Sequence, residues 1–139
     1  MTITVFGLPG PQGSKKLVGR DRKGRGILIE SSAKVKPWRE AVKWAVLEYR
    51  RAHGSCCIEG PVRMEVTFTL PMPKSTKRES PSTRPDLSKL VRSTEDALTE
   101  VGIWEDDGRV VECISRKVYP GYHSLSLESP GARIHLEPY

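Results

Sequence analysis

Trp38, Ala41, Val42, Ala45, Val46 and Tyr49 recur at steps of three and four residues, the stripe that one face of a helix turns toward a core. Pro37 suits the first turn of that helix and His53-Gly54 its stop. Leu87, Leu90, Val91, Leu98 and Val101 predict a second helix, with Asp86 at its N-cap after Pro85 and Gly102 at its end. Between the two, Val62, Met64, Val66, Phe68 and Leu70 alternate with polar residues, the pattern of a half-buried strand. Shorter apolar runs predict strands at 3–6, 26–30, 109–118 and 132–136, while the Gly-studded basic stretch 15–26 reads as a hairpin or a mobile loop. The stretch 71–85, with four prolines and four bases, reads as a loop. The order β-β-α-β-α-β-β predicts one domain over residues 1–139 of α/β (α+β) class, a mixed sheet with two main helices.

Composition narrows the class without choosing a function. The 139 residues are 37% hydrophobic and 29% charged, which excludes a fibrous or wholly disordered chain. No apolar run approaches the length of a membrane span, and the start of the chain lacks the basic head and long apolar centre of a signal peptide. Three cysteines, two of them adjacent at 56 and 57, make no disulfide framework and point to a reducing, cytoplasmic setting.

The net charge of +6 matters less than its placement. Residues 1–36 hold eight Lys/Arg against two Asp/Glu, whereas residues 85–112 hold three against eight. A protein that only coats nucleic acid has no use for concentrated carboxylates, because they repel phosphate. A protein that cuts nucleic acid uses cations to grip the backbone and carboxylates to hold a metal ion. A soluble domain with one acidic helix would show the same balance. In the basic region Lys15, Lys16, Arg20, Lys23 and Arg25 are candidates for gripping a DNA backbone, as is Lys89 in the acidic block.

Asp86 stands at a helix start and Asp106-Asp107 in the turn after that helix. A helix of about 15 residues is about 22 Å long, so Asp86 and Asp107 meet only if the following strand runs back along it. The plainer alternative makes Asp86 a helix cap and Asp106-Asp107-Gly108 a turn. Arg92 is either a phosphate clamp or the surface partner of Asp96, four residues on.

The acidic block, Asp86-Leu87-Ser88-Lys89-Leu90, Arg92, Asp96-Ala97-Leu98, Trp104-Glu105-Asp106-Asp107 and Val110-Val111-Glu112, resembles the core motif of the RusA family of Holliday-junction resolvases. The opening segment Pro11-Gln12-Gly13-Ser14-Lys15-Lys16 and the helix start Lys36-Pro37-Trp38-Arg39-Glu40 also look like the phage branch of that family, so the resemblance covers most of the chain. It implies a homodimeric, Mg²⁺-dependent endonuclease (Mn²⁺ substituting) that cleaves branched DNA, Holliday junctions or forks, inside the host cell of a phage or prophage, with no nucleotide cofactor. Asp86 and Asp107 fall on metal-binding aspartates of the motif, and Arg92 on the catalytic lysine. Ser88 falls on a further aspartate, a departure that removes a hard, charged ligand. Asp106 is the residue best placed to supply the missing charge. Arginine keeps its proton at neutral pH, so Arg92 would act as an electrostatic clamp and not as a proton donor. A dimer would place two sites on a two-fold junction. A structure-specific DNA-binding protein with weakened catalysis is the alternative that Ser88 raises.

Other groupings carry less. His53, Cys56, Cys57 and Cys113 match no zinc spacing. The glycines of 7–13 lack the Gly-Lys-Ser/Thr of a phosphate loop. Trp38, Trp44 and Trp104 suit helix or core packing better than base stacking.

Overall fold

The computed structural model describes residues 1–13, 15–30 and 33–139, with residues 15–18 and 27–30 described through their backbone only. Ser14 of the opening segment lies outside the described residues. β1 (Thr2–Phe6) is followed by β2 (Lys15–Arg20), a strand that the expected order lacks, and then by β3 (Gly26–Glu30), α1 (Val35–His53) and β4 (Val62–Thr69), close to their expected positions. After the loop come α2 (Leu87–Glu100), a 3₁₀ turn (Asp107–Arg109), β5 (Val110–Val118) and β6 (Gly131–Pro138). The basic stretch is a hairpin: β2 and β3 pair antiparallel as a two-stranded sheet of their own. In its turn Asp21 accepts from the Lys23 and Arg25 backbone N–H groups, both at 2.9 Å, and from Arg25 Nε at 2.8 Å.

The main sheet has the order β1-β6-β4-β5. β6 runs antiparallel to β1 and β4, while β5 runs parallel to β4. A parallel neighbour demands a crossover long enough to return the chain, and α2 with its flanking loops provides it. Val62, Met64, Val66 and Phe68 of β4 and Ala132, Ile134 and Leu136 of β6 are fully buried. They pack with Trp38, Val42 and Val46 of α1 and Leu90, Ala97 and Leu98 of α2 into one core. Trp38 shows how polar atoms enter it without penalty: its indole N–H donates to Thr94 Oγ1 at 3.0 Å, itself bonded to the Leu90 carbonyl. Trp104 does the same with Thr99 Oγ1 at 2.7 Å, so both are core residues, whereas Trp44 is exposed on α1.

Two contacts fix α2. Arg50 of α1 donates to the carbonyls of Val101 and Gly102 at 2.7 and 2.8 Å, a cation on the negative end of the helix. At the other end Gln12 N–H donates to the Lys89 carbonyl and Ser93 Oγ to the Gly10 carbonyl. The Gly-rich segment is therefore a wedge between the helices. A Cβ on Gly10 would sit 2.0 Å from the Lys34 carbonyl oxygen.

Candidate nucleic-acid interface and carboxylate site

β4 ends at Thr69, and the chain then crosses a proline-rich loop to the N-terminus of α2. There a cleft of about 730 Å³ opens, lined among others by Leu8, Lys34, Pro71, Arg84, Asp86, Lys89 and Tyr119. It lies outside the carboxyl end of β4, a place where open sheets with crossover helices commonly bind ligands. The helix end supplies unpaired N–H groups and a positive dipole for phosphate.

Asp86 occupies the N-cap of α2, yet its carboxylate accepts no capping hydrogen bond. It is exposed, with Lys89 Nζ 3.7 Å from Oδ2. The capping explanation thus fails for its side chain. Behind it Lys117 of β5 donates to the carbonyls of Thr83 and Pro85 at 2.8 and 2.9 Å, holding the loop at the residue before Asp86. Ser88, Lys89 and Arg92 are exposed along α2. Among the described residues Arg92 has no ion pair, so the expected alternative of a bridge to Asp96 does not form.

The turn after α2 divides the other two aspartates. Asp106 Oδ1 accepts from the Gly108 backbone N–H at 2.7 Å and caps the 3₁₀ turn, the structural use of Asp in a turn. Asp107 is exposed and its influence reaches Glu95 of α2. Glu95, which the sequence does not single out, is half-buried, and its carboxyl is pushed up to about 7, first by loss of water contact and then by the charges of Asp107 and Asp96. Cys113 of β5, beside Glu95, has its thiol pushed up by desolvation and by that same carboxylate.

Asp86 and Asp107 do not meet in one chain. β5 does pair in the sheet, but parallel to β4, so it begins where α2 ends and not where α2 starts. The charge of Asp107 is felt at Glu95, nine residues along α2 from Asp86, or about 13 Å of helix. Among the described residues no three His, Cys, Asp or Glu side chains converge closely enough to hold a metal ion. That also removes zinc at His53, Cys56, Cys57 and Cys113; His53 stacks on Tyr49 with ring centroids 4.1 Å apart. The carboxylates of one chain therefore do not fit the Mg²⁺ that the motif implies.

Of the backbone-gripping candidates, Arg20, Lys23 and Arg25 are exposed around the β2–β3 turn, with Arg25 shared with Asp21; Lys15 and Lys16 fall on β2, where only the backbone is described. The family model of the endodeoxyribonuclease RusA matches residues 9–128, from the wedge through α2, the carboxylates and β5. The chain belongs to the RusA endodeoxyribonuclease family. Its matched span holds every residue that the resemblance marks as functional. The chain is also similar to the uncharacterized protein YqaN of Bacillus subtilis, 33% identical over 129 residues, covering 84% of this chain and 86% of that one. Among the described residues no helix is long and apolar enough to cross a membrane.

Proposed function

We propose that this RusA-family protein is a structure-specific endodeoxyribonuclease that cuts branched DNA, Holliday junctions and forks, as a homodimer in the recombination of a phage or prophage within the host cytoplasm. Mg²⁺, with Mn²⁺ as substitute, is the cofactor we assign, supplying a polarised phosphate and a nucleophilic water when bound. The observation that carries the reading is the uncapped Asp86 carboxylate at the mouth of a cation-rimmed cleft on a helix N-terminus.

The chain's own residues do the following. The N-terminal N–H groups of α2, Lys89 and Arg84 bind the phosphate whose ester is cut. Arg92, without an ion pair among the described residues, holds charge that develops on the phosphate oxygens. Asp86 accepts a hydrogen bond from the attacking water and orients it. The exposed hairpin with Arg20, Lys23 and Arg25 lies against the flanking backbone. No step is routed through a metal ion, since one chain's carboxylates do not enclose one.

Cleavage of a synthetic four-way junction, with a linear duplex as control and with and without Mg²⁺, tests the proposal. Junction-selective, Mg²⁺-dependent nicking that Asp86→Asn abolishes supports it. Equal cutting of duplex and junction, or cutting that survives Asp86→Asn, refutes it. The second reading, a branched-DNA binder with weakened catalysis, is favoured by Ser88, exposed and neutral where the motif has an aspartate. It predicts tight junction binding with no Mg²⁺-dependent product.

A further inference from the structure

The cleft at the start of α2 is larger and less polar than the cutting of a phosphate ester requires. Its volume of about 730 Å³ is that of a site enclosing a whole small molecule, far beyond the room one phosphate group fills. Among the described residues, six of the fifteen that line it are prolines, at 9, 11, 71, 73, 81 and 85. Proline has no N–H to offer a phosphate oxygen. Leu8, Leu70 and the Tyr119 ring extend the same apolar wall. A surface of that chemistry has nothing for a charged backbone and suits the flat face of a nucleobase.

The charged lining sits elsewhere in the cleft, where both helices begin. Lys34 at the N-cap of α1 and Asp86 at that of α2 line it, with Arg84 and Lys89. Helix starts and cations hold phosphates. The cleft therefore joins positions for a backbone to an apolar recess beside them. Tyr119 points to what enters the recess. It is 2% exposed, yet its phenol O–H has no hydrogen-bond partner among the described residues. Tyr122 meets its ring edge-on at 6.3 Å and supplies none. A buried tyrosine hydroxyl ordinarily has a partner, so this one is left for a ligand in the cleft it lines.

The recess is held open in advance. Gly7 N–H donates to the Pro130 carbonyl at 3.1 Å and Gly10 abuts the Lys34 carbonyl, which fixes Leu8 and Pro9 between them. Lys117 pins the carbonyls of Thr83 and Pro85 on the loop side. A preformed pocket spends little on ordering itself when it binds.

We propose that the recess takes one unpaired base, turned out of its stack at a branch point, while the adjoining phosphate lies at the start of α2. Extrusion costs least where pairing is already broken, as at a branch point, and most inside an intact duplex. The recess is thereby the part of the protein that tells branched from linear DNA. The Tyr119 hydroxyl, able to donate or accept, meets the edge of the base. The inference rests on the endonuclease reading for its substrate, branched DNA, and not on the cut itself.

Binding experiments in EDTA, where nothing is cut, test it first. 2-Aminopurine, which brightens when unstacked, is placed in turn at each nucleotide flanking the branch point of a synthetic four-way junction. At one position the protein should raise its fluorescence severalfold, and in a linear duplex it should not. Leu8→Ser combined with Pro73→Ser, both at exposed positions and neutral in charge, should lose most of that rise while staying folded by circular dichroism. Tyr119→Phe should weaken binding of the intact junction about threefold to tenfold, and should leave binding of a junction abasic at that position unchanged. In Mg²⁺ the abasic junction, with every phosphate kept, should be cut about tenfold more slowly by wild type.

Fluorescence that rises nowhere, rises equally in duplex, or survives the double substitution overturns the recess, as does an abasic junction cut at the normal rate. Equal loss of both junctions in Tyr119→Phe overturns the part given to the hydroxyl. A protein that unstacks the base as expected but cuts no DNA refutes the nuclease reading and leaves this inference standing. Junction cutting without any fluorescence response does the reverse.

Discussion

Glu95→Gln is expected to make the protein more stable at pH 8 and to leave it nearly unchanged at pH 5. The Glu95 carboxyl titrates near 4.5 when the chain is unfolded and at about 7 when folded, because α2 and the strand beside it strip its water and Asp107 and Asp96 repel its charge. A carboxyl whose folded value is raised keeps its proton in the folded state between those two values and has lost it in the unfolded state. Stability therefore falls as pH climbs from about 4.5 to about 7, then stays level. The full shift corresponds to a ceiling of about 3 kcal/mol. Since the group is only half-buried, solvent screening brings the expected loss to about 1–2 kcal/mol. Gln keeps the shape and cannot ionise, so the stability difference between variant and wild type isolates this one group. Urea unfolding in EDTA at pH 5, 6, 7 and 8 measures it. A difference that does not grow across that window refutes the reasoning. Asp107→Asn should reduce the wild-type pH slope without removing it, because burial is the larger cause and Asp107 the next.

Asp86→Asn or Asp107→Asn is expected to abolish junction cleavage with unfolding midpoints within about 0.5 kcal/mol of wild type, as both side chains are exposed; retained cutting would remove that residue from the site. Neutralising Lys15, Lys16, Arg20 and Lys23 together should weaken binding to every DNA structure and flatten its salt dependence by about one counterion per lost phosphate contact, read from fluorescence anisotropy across a salt series. Gly10→Ala should cost about 2–3 kcal/mol in a denaturant titration, because the new methyl would lie 2.0 Å from the Lys34 carbonyl oxygen and 2.9 Å from Trp38 Cβ, in a wedge with no room to move. Ser88→Asp should lower the Mg²⁺ needed for half-maximal cleavage, since it restores a hard, charged oxygen two residues from Asp86; an unchanged requirement would place residue 88 outside the site.

Local chemistry made the elements legible. Helical periodicity locates α1 and α2, alternation locates β4, and His53-Gly54 and Gly102 end the helices where expected. Backbone effects account for the departures. Helix α1 starts at Val35, three residues before its apolar stripe, because the first turn of a helix does not have to face the core. The glycines of 7–13 gave no hint of their use, since a close approach between Gly10 and Lys34 is a tertiary fact. Glu95 escaped notice for the same reason. Its raised pKa comes first from burial and then from Asp107, 12 positions away, both set by tertiary structure.

The carboxylate pair is the instructive case. Aspartates 21 residues apart, one before a helix and one after it, are set by sequence in order but not in space. Everything turns on the direction of the strand that follows. Had β5 returned beside β4 antiparallel, it would have begun at the carboxyl end of β4 and set Asp107 near Asp86. A helix as crossover between neighbouring strands imposes the parallel arrangement instead, and with it Asp86 and Asp107 fall toward opposite ends of α2. The parallel choice also leaves β5 on the edge of the main sheet. One topological decision thus separates, within a chain, two aspartates that lie together in the motif's order. The departure at Ser88 has a physical reading in the same terms: beside Asp86 the motif loses a carboxylate, and an exposed, neutral hydroxyl stands in its place.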